Sequence, residues 1–397
     1  MFKKGLHTIA GASLALALAA GSAAAAGVTI GFLTDMTGAS GVHNGESSLP
    51  VIQMAIEDAG GTILGEPVKV LSADQLNKPD VALGIAREWV EREGVNFITD
   101  VNNSAAALAI NDWIRGKNVL FASGASTTKL VGENCSDQHT QWLPNSDVLS
   151  KAIVIPLVKQ GADKWFMITV DYAFGHDLEE KSIAAIKAAG GEVVGSVRHS
   201  PTTTDYSAFL LEAQSKGAKT IGLVTFGSYM VNIIKQVQEF GMDVQLVPYY
   251  LTLPDIKAVG LDALKNVSTS VLFYWDRNDK TRAFARRYEE RYGRKPTISN
   301  AYVYQAVHHY LKAVKAAGTT DAKAVAAKMR ELKVEDATDI SAYVSEDGRV
   351  VRDMYAVKTK TAAESKGDWD YFTITATADK DTIFTPISES KCPYVKK

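Results

Sequence analysis

The chain has 397 residues, 46% of them hydrophobic and 22% charged, with a formal net charge of −2. That is an ordinary composition for a globular chain and enough length for two domains with separate cores. A near-neutral balance with scattered Lys and Arg leaves no basic footprint, which argues against nucleic acid or an anionic membrane as partner.

Residues 1–26 read as an export signal. Lys3 and Lys4 precede an apolar run over 9–20, then Gly21-Ser22 and Ala24-Ala25-Ala26, the order of a charged region, a hydrophobic region and a small-residue cleavage site. The expected mature chain starts near Gly27, with cleavage near Ala26. A membrane anchor is the alternative, but the run is short and Ala-rich for a bilayer span. With no Cys following the run, lipid anchoring is disfavoured, and the expected setting is an exported, oxidising compartment. There the two cysteines, Cys135 and Cys392, are expected to form one disulfide tying the C-terminal tail to the first lobe. Two separate buried thiols are the other possibility.

From Gly27 the pattern alternates strand and helix, as parallel sheets covered on both faces do. Strands are predicted at 28–33, 68–72, 96–101 and 119–123, with helices at 45–58, 80–92 and 104–116. Val51, Ile52, Ala55 and Ile56 give the first helix its apolar face, and Gly60-Gly61 ends it. After a helix at 150–159, a second series places strands at 165–170, 192–199, 220–226 and 245–250, and helices at 177–189, 206–216 and 228–240. A strand at 266–275 leads out of this lobe. Long helices at 279–292, 298–317 and 321–332 need a sheet to cover and return to the first. The tail segments 349–359 and 369–376 alternate like an antiparallel pair, expected as an edge addition to the second lobe.

One phrase occurs twice. Ala59-Gly60-Gly61-Thr62-Ile63-Leu64-Gly65 returns as Ala189-Gly190-Gly191-Glu192-Val193-Val194-Gly195, each leading from a helix into a strand. Upstream, a strand runs into Thr34-Asp35 with Gly38 behind it, and its counterpart runs into Thr169 and Asp171 with Gly175 behind it. This internal repeat predicts an α/β fold of two doubly wound parallel-sheet lobes joined by a three-crossing hinge. Lobe one takes 27–148 and 277–345, lobe two takes 149–276 and 346–380, and the tail 381–397 returns to lobe one. Hinge closure over a ligand is the expected motion.

Catalytic signatures are absent from the sequence: there is no G-x-S-x-G elbow, phosphate loop, dinucleotide fingerprint or H-E-x-x-H. Ser126-Thr127-Thr128-Lys129 matches S-x-x-K, but the S-D-N and K-T-G elements that accompany it are missing. His308 and His309 are adjacent and point apart on a helix, so no metal site is expected, nor a cofactor. What remains lies at strand ends, where helix N-termini in parallel sheets present unpaired N–H groups to ligands. In lobe one these are Asn103 and Ser104, then Gly124, Ala125 and Ser126, suited to a carboxylate. In lobe two they are Tyr172 and Phe174, then Phe226 and Tyr229, then Tyr249 and its neighbour Tyr250, then Tyr274 and Trp275, suited to an apolar wall.

With Gly31-Phe32-Leu33-Thr34-Asp35, Ala55-Ile56-Glu57-Asp58-Ala59-Gly60-Gly61, Gly124-Ala125-Ser126 and Asp171-Tyr172-Ala173-Phe174-Gly175, the chain resembles the type I periplasmic solute-binding proteins of branched-chain amino-acid ABC importers. The likeness covers essentially the whole mature chain. Cys135, in Glu133-Asn134-Cys135-Ser136, and Cys392 resemble a branch whose members bind aromatic carboxylates. The resemblance implies a periplasmic receptor without chemistry of its own, which closes on a ligand and delivers it to the membrane subunits of an ABC permease; a monomer is expected. By it, Ser104, Ala125 and Ser126 take the ligand carboxylate, and Tyr172, Phe174, Tyr229 and Tyr249 supply the facing wall. Leucine-type members meet the ligand ammonium with an acidic residue on the loop where this chain has Leu251-Thr252-Leu253. An unpaired buried ammonium is costly, so the expected ligand is a small hydrophobic or aromatic carboxylate. A branched-chain or aromatic amino acid, with Asp171 or Asp276 as its acid, is the alternative; a sensory module on the same fold is another.

Overall fold

The computed structural model describes residues 27–265 and 267–396; the expected export signal lies outside them. The first lobe is built from β1 (Thr29–Thr34), α1 (Leu49–Asp58), a small hairpin of β2 (Thr62–Ile63) and β3 (Glu66–Pro67), β4 (Lys69–Asp74), α2 (Pro79–Arg92), β5 (Phe97–Asp100), α3 (Ser104–Trp113), β6 (Leu120–Ser123) and β7 (His139–Gln141). Its strands lie parallel in the order β4-β1-β5-β6-β7. The second lobe runs through α4 (Ser146–Lys159), β8 (Lys164–Val170), α5 (Ala173–Ala188), β9 (Glu192–His199), α6 (Ser207–Ser215), β10 (Thr220–Val224), α7 (Gly227–Glu239), β11 (Gln245–Pro248) and α8 (Leu253–Val259). Its parallel order is β11-β10-β8-β9.

The repeated phrase is one helix stop built twice. In α1 the Gly61 N–H donates to the Ile56 carbonyl at 2.9 Å, and in α5 the Gly191 N–H donates to the Ile186 carbonyl at 2.9 Å. Gly60 and Gly190 carry φ of 98° and 92°, which only glycine adopts without strain. Each turn then sends the chain back along the sheet.

Beyond β12 (Ser268–Val271) the chain crosses to α9 (Asp279–Tyr292), α10 (Ile298–Ala317) and α11 (Ala322–Glu331). α10 lies against α1 and β5 of the first lobe. Tyr310 stacks on Phe97 with centroids 4.0 Å apart, and its hydroxyl donates to Asn96 Oδ1 at 3.0 Å. The chain then forms β13 (Ala342–Val344), β14 (Val350–Arg352), β15 (Met354–Thr359), β16 (Phe372–Ala378) and α12 (Lys380–Ile383).

Three local expectations are corrected. The segment 349–359 is two strands interrupted at Asp353: β14 pairs with β13, and β15 with β12 and β16. The antiparallel pair therefore joins β12 in a three-stranded sheet of its own, order β12-β15-β16, instead of extending the parallel sheet. The strand expected over 266–275 is confined to β12, because Tyr274 and Trp275 turn into the hinge and bond the segment around Trp369 and Asp370.

At the crossings, Arg352 is the main fastening. Buried on the third crossing, it donates from Nη2 to the Trp142 carbonyl on the first at 3.0 Å, and from Nη1 to Gln305 Oε1 on α10 at 2.5 Å. Cys135 and Cys392 form a disulfide across 257 positions, and the tail reaches it past α4, where Thr385 bonds Asp147 and Lys151. Cys135 precedes β7, at the amino end of the sheet. Replacing both cysteines by serine is expected to lower stability to chemical denaturation by up to about 5 kcal/mol, close to the chain-entropy value for so long a loop, while leaving ligand affinity unchanged, because the clefts of such sheets lie at the carboxyl ends.

Candidate functional site

The carboxyl ends of both sheets face each other across a narrow space. Ser40, His43, Asn44, Asn77, Asn102, Gly124, Ser126 and Tyr302 line it from lobe one; Tyr172, Phe174, Phe226 and Tyr250 line it from lobe two; Leu143 lies at the first crossing. Its volume of about 40 Å³ exceeds the roughly 10–15 Å³ that one water needs on this measure, and suits only a small ligand. Apart from His43, no residue of this lining carries an ionisable acid or base of the Asp, Glu, Lys, Arg or His kind.

The polar side is built by loops held from behind. Gln141 Nε2 donates to the carbonyls of Ala125 and Thr127 at 3.0 and 2.9 Å. A trans peptide points its N–H opposite to its carbonyl, so the N–H groups of Ser126 and Thr128 face the other way. The Thr128 N–H does reach Asp177 Oδ2 of lobe two, at 2.9 Å. Ser126, which lines the cavity, thus keeps its N–H on the side away from Gln141, and it carries a hydroxyl as well. Ser40 bonds Asp35 through both its N–H and Oγ and receives a bond from Asn102 at 2.9 Å, which fixes the loop after β1.

Beneath this floor lies Asp100, at the end of β5. It accepts from Asn44 Nδ2 at 2.9 Å on both oxygens and from the Tyr302 hydroxyl. Burial pushes its carboxyl up to about 6, against hydrogen bonds that lower it, and pushes the Tyr302 hydroxyl well above its usual range, so Tyr302 stays a donor. Asp100 and Val101 have φ of 79° and 43°, a strained pair of the sort found at ligand clamps. A Cβ on Gly124 would come within 2.3 Å of the Tyr302 hydroxyl and 2.5 Å of Asp100 Oδ1, so only glycine fits above the network.

On the apolar side, Phe226 meets Phe174 edge-on at 5.7 Å and Tyr172 at 6.3 Å. Of the residues expected from sequence, Gly124, Ser126, Tyr172, Phe174 and Phe226 come together here. Asn103 instead caps α3, accepting from the Ala106 N–H at 2.9 Å and donating to Asn77 at 2.6 Å. Ser104 is buried beside that cap with its hydroxyl unpartnered, and the Ala125 side chain packs into the lobe-one core. Tyr229 stands behind Phe226, against His199. Tyr249 is fully buried in the lobe-two core, and Tyr250 takes the cleft position, since successive residues of an extended chain face opposite ways. Asp171 is exposed and bonded to His176, and Asp276 to Arg282; neither lines the cavity.

Sequence reasoning missed Ser40, His43, Asn44, Asn77, Asn102, Leu143 and Tyr302. The strand-end rule covers the loop after β1, but nothing local marks Tyr302, which arrives from α10. Lobe contacts across the cleft add His43 to Asp255 at 2.7 Å, Tyr250 to Ser299 at 2.7 Å, and Gly227 against Ala39, where a Cβ would lie 2.0 Å from the carbonyl oxygen.

The sequence profile described as periplasmic binding protein matches residues 27–368, and the chain belongs to that family. A crystal structure of a periplasmic binding protein from Burkholderia mallei superposes with a TM-score of 0.90 at 36% identity, covering 93% of this chain and 99% of that one. A branched chain amino acid ABC transporter periplasmic ligand-binding protein from Burkholderia xenovorans LB400 gives 0.83 at 39%, covering 92% and 99%. The Leu/Ile/Val-binding protein homolog 4 of Brucella melitensis is 23% identical over 256 residues, 62% of this chain; the match spans 61% of that relative's length. The family is one of solute-binding proteins with a periplasmic setting, and no described helix is long and apolar enough to cross a membrane.

Two predictions follow from the geometry. A carboxyl whose pKa is raised on folding contributes stability that is present below its unfolded value near 3.8 and is lost as pH rises through about 6. The stability of the wild type relative to Asp100→Asn is therefore expected to fall by about 2 kcal/mol between pH 4 and pH 7 in denaturation curves. Gly227→Ala is expected to hold the lobes apart, read as a larger radius of gyration in X-ray scattering with lobe folding intact.

Proposed function

We propose that this protein is the ligand receptor of an ABC importer, closing on a small aromatic carboxylate and presenting it to a membrane permease. The observation that carries the reading is a cleft with four aromatic side chains on one wall, a hydroxyl and N–H cradle on the other, and no carboxylate for an ammonium. An aromatic acid places its ring against the edge-to-face cluster and its anion at Ser126. A Rhodopseudomonas palustris solute-binding protein of the same fold, 22% identical with a TM-score of 0.80, was solved with 3,4-dihydroxy benzoic acid. The Burkholderia xenovorans relative, at 39% identity, favours a second reading, a branched-chain amino acid. That ligand requires its ammonium to be met by neutral acceptors alone.

Thermal unfolding with benzoate, 4-hydroxybenzoate and 3,4-dihydroxybenzoate beside leucine, valine and phenylalanine separates the two. A ligand at a hundred times its dissociation constant adds about 2.7 kcal/mol to the folded state. Stabilisation by the aromatic acids alone is expected; stabilisation by amino acids alone replaces the first reading with the second.

A further inference from the structure

His43 is fully buried and sits on the loop after β1, in the cavity lining. Its Nε2 lies 2.7 Å from Oδ1 of Asp255, a residue of α8 in the opposite lobe that is itself 1% exposed. The other Asp255 oxygen already accepts from the Thr252 N–H at 2.8 Å and the Thr252 hydroxyl at 2.7 Å. A carboxylate only accepts, so Nε2 carries the proton in this bond. The ring is further held by Tyr250, tilted at 5.5 Å, and its backbone carbonyl accepts from Thr297 at 3.2 Å. Every polar group of His43 described so far has a partner except Nδ1, which is buried with none. With the proton on Nε2, Nδ1 is an acceptor; a buried acceptor without a partner is costly, and an O–H or N–H donor of a ligand supplies what it lacks.

We propose that His43 is a specificity-determining residue that couples ligand to closure: Nδ1 accepts from an O–H or N–H donor of the ligand while Nε2 donates to Asp255 of the facing lobe. The two nitrogens belong to one rigid ring, so orienting it for the ligand also orients it for the latch. A ligand that leaves Nδ1 unmet closes the lobes less tightly. This deepens the ligand reading above and rests on it for the choice of probe.

The two nitrogens are separable by substitution. In His43→Gln the side-chain amide reaches the Nε2 position and keeps a donor for Asp255, while the Nδ1 position is lost. In His43→Asn the amide occupies the Nδ1 position and the latch is lost. Titration calorimetry with 4-hydroxybenzoate, and separately with leucine, is expected to show His43→Gln weakened about 10-fold, the effect of leaving one buried donor of the ligand unpartnered. Nitrogen-15 spectra of the wild type are expected to show the His43 Nδ1 resonance moving on saturation with the probe that binds, and Nε2 staying in place. Wild-type affinity in folded His43→Gln, or an unmoved Nδ1, overturns the inference. Should His43→Gln fail to fold, the wild-type spectrum decides alone. If leucine binds and 4-hydroxybenzoate does not, the aromatic reading falls while His43 is tested on leucine; if neither binds the wild type, both fall.

Discussion

Closing two lobes buries polar groups that neither lobe satisfies by itself, and the cleft is organised around that constraint. Loops at the carboxyl ends of parallel strands are rich in N–H groups and hydroxyls, which bond to water when the lobes are apart. On closure each must find a protein or ligand partner or cost on the order of 1–3 kcal/mol. Thr128 finds Asp177, His43 finds Asp255 and Tyr250 finds Ser299, each pair joining the two lobes. Among the described residues, the Nδ1 of His43 is buried with no protein partner, and Ser126 lines the cavity with no protein acceptor for its N–H. Protein bonds thus cover the rim and part of the wall; on the proposed function a ligand supplies the remainder.

The repeat sets one local unit in two different surroundings. Both copies keep the Gly-Gly helix stop with the same hydrogen bond, because it sets how helix and strand pack. They diverge at the strand ends. Asp35, after β1, is buried and orders the Ser40 loop, whereas Asp171, after β8, is exposed and tied only to His176. Lobe one spends its strand ends on polar groups, and lobe two spends its own on Tyr172, Phe174, Phe226 and Tyr250. An anion with an apolar body matches that division.

Much of the fold was legible in the chain because its signals are local. Apolar runs of strand length, helical spacing as at Val51, Ile52, Ala55 and Ile56, and glycines at helix ends each act within a few residues. The site was legible only where it follows a strand directly, as at Gly124, Ser126, Tyr172, Phe174 and Phe226. Choosing Tyr249 over Tyr250 was a matter of parity: one residue reverses the face, and an aromatic pair does not announce which member is buried. Tyr302 and Asp100 meet across some 200 positions through the packing of α10, and no local pattern encodes such a meeting. Asp353 likewise divides what alternation alone reads as one strand.

The hinge limits how the lobes can move. Arg352 binds the carbonyl of Trp142 on one crossing and Gln305 on α10 while it sits on another, and burial lowers its guanidinium only to about 10, so it stays charged. Breaking either bond would strand a buried cation, which costs several kcal/mol. Motion that shears the crossings past each other is therefore disfavoured. Rotation of the lobes as rigid bodies about this fixed point keeps both bonds, and it moves the strand ends, farthest from the hinge, through the largest arc. The contacts that form last on closing are then those at the cleft rim, where Thr128 meets Asp177 and the Ala39 carbonyl meets Gly227. Close approach at Gly227 works only without a side chain, so the same backbone position sets both how far the lobes close and how little room is left for the ligand.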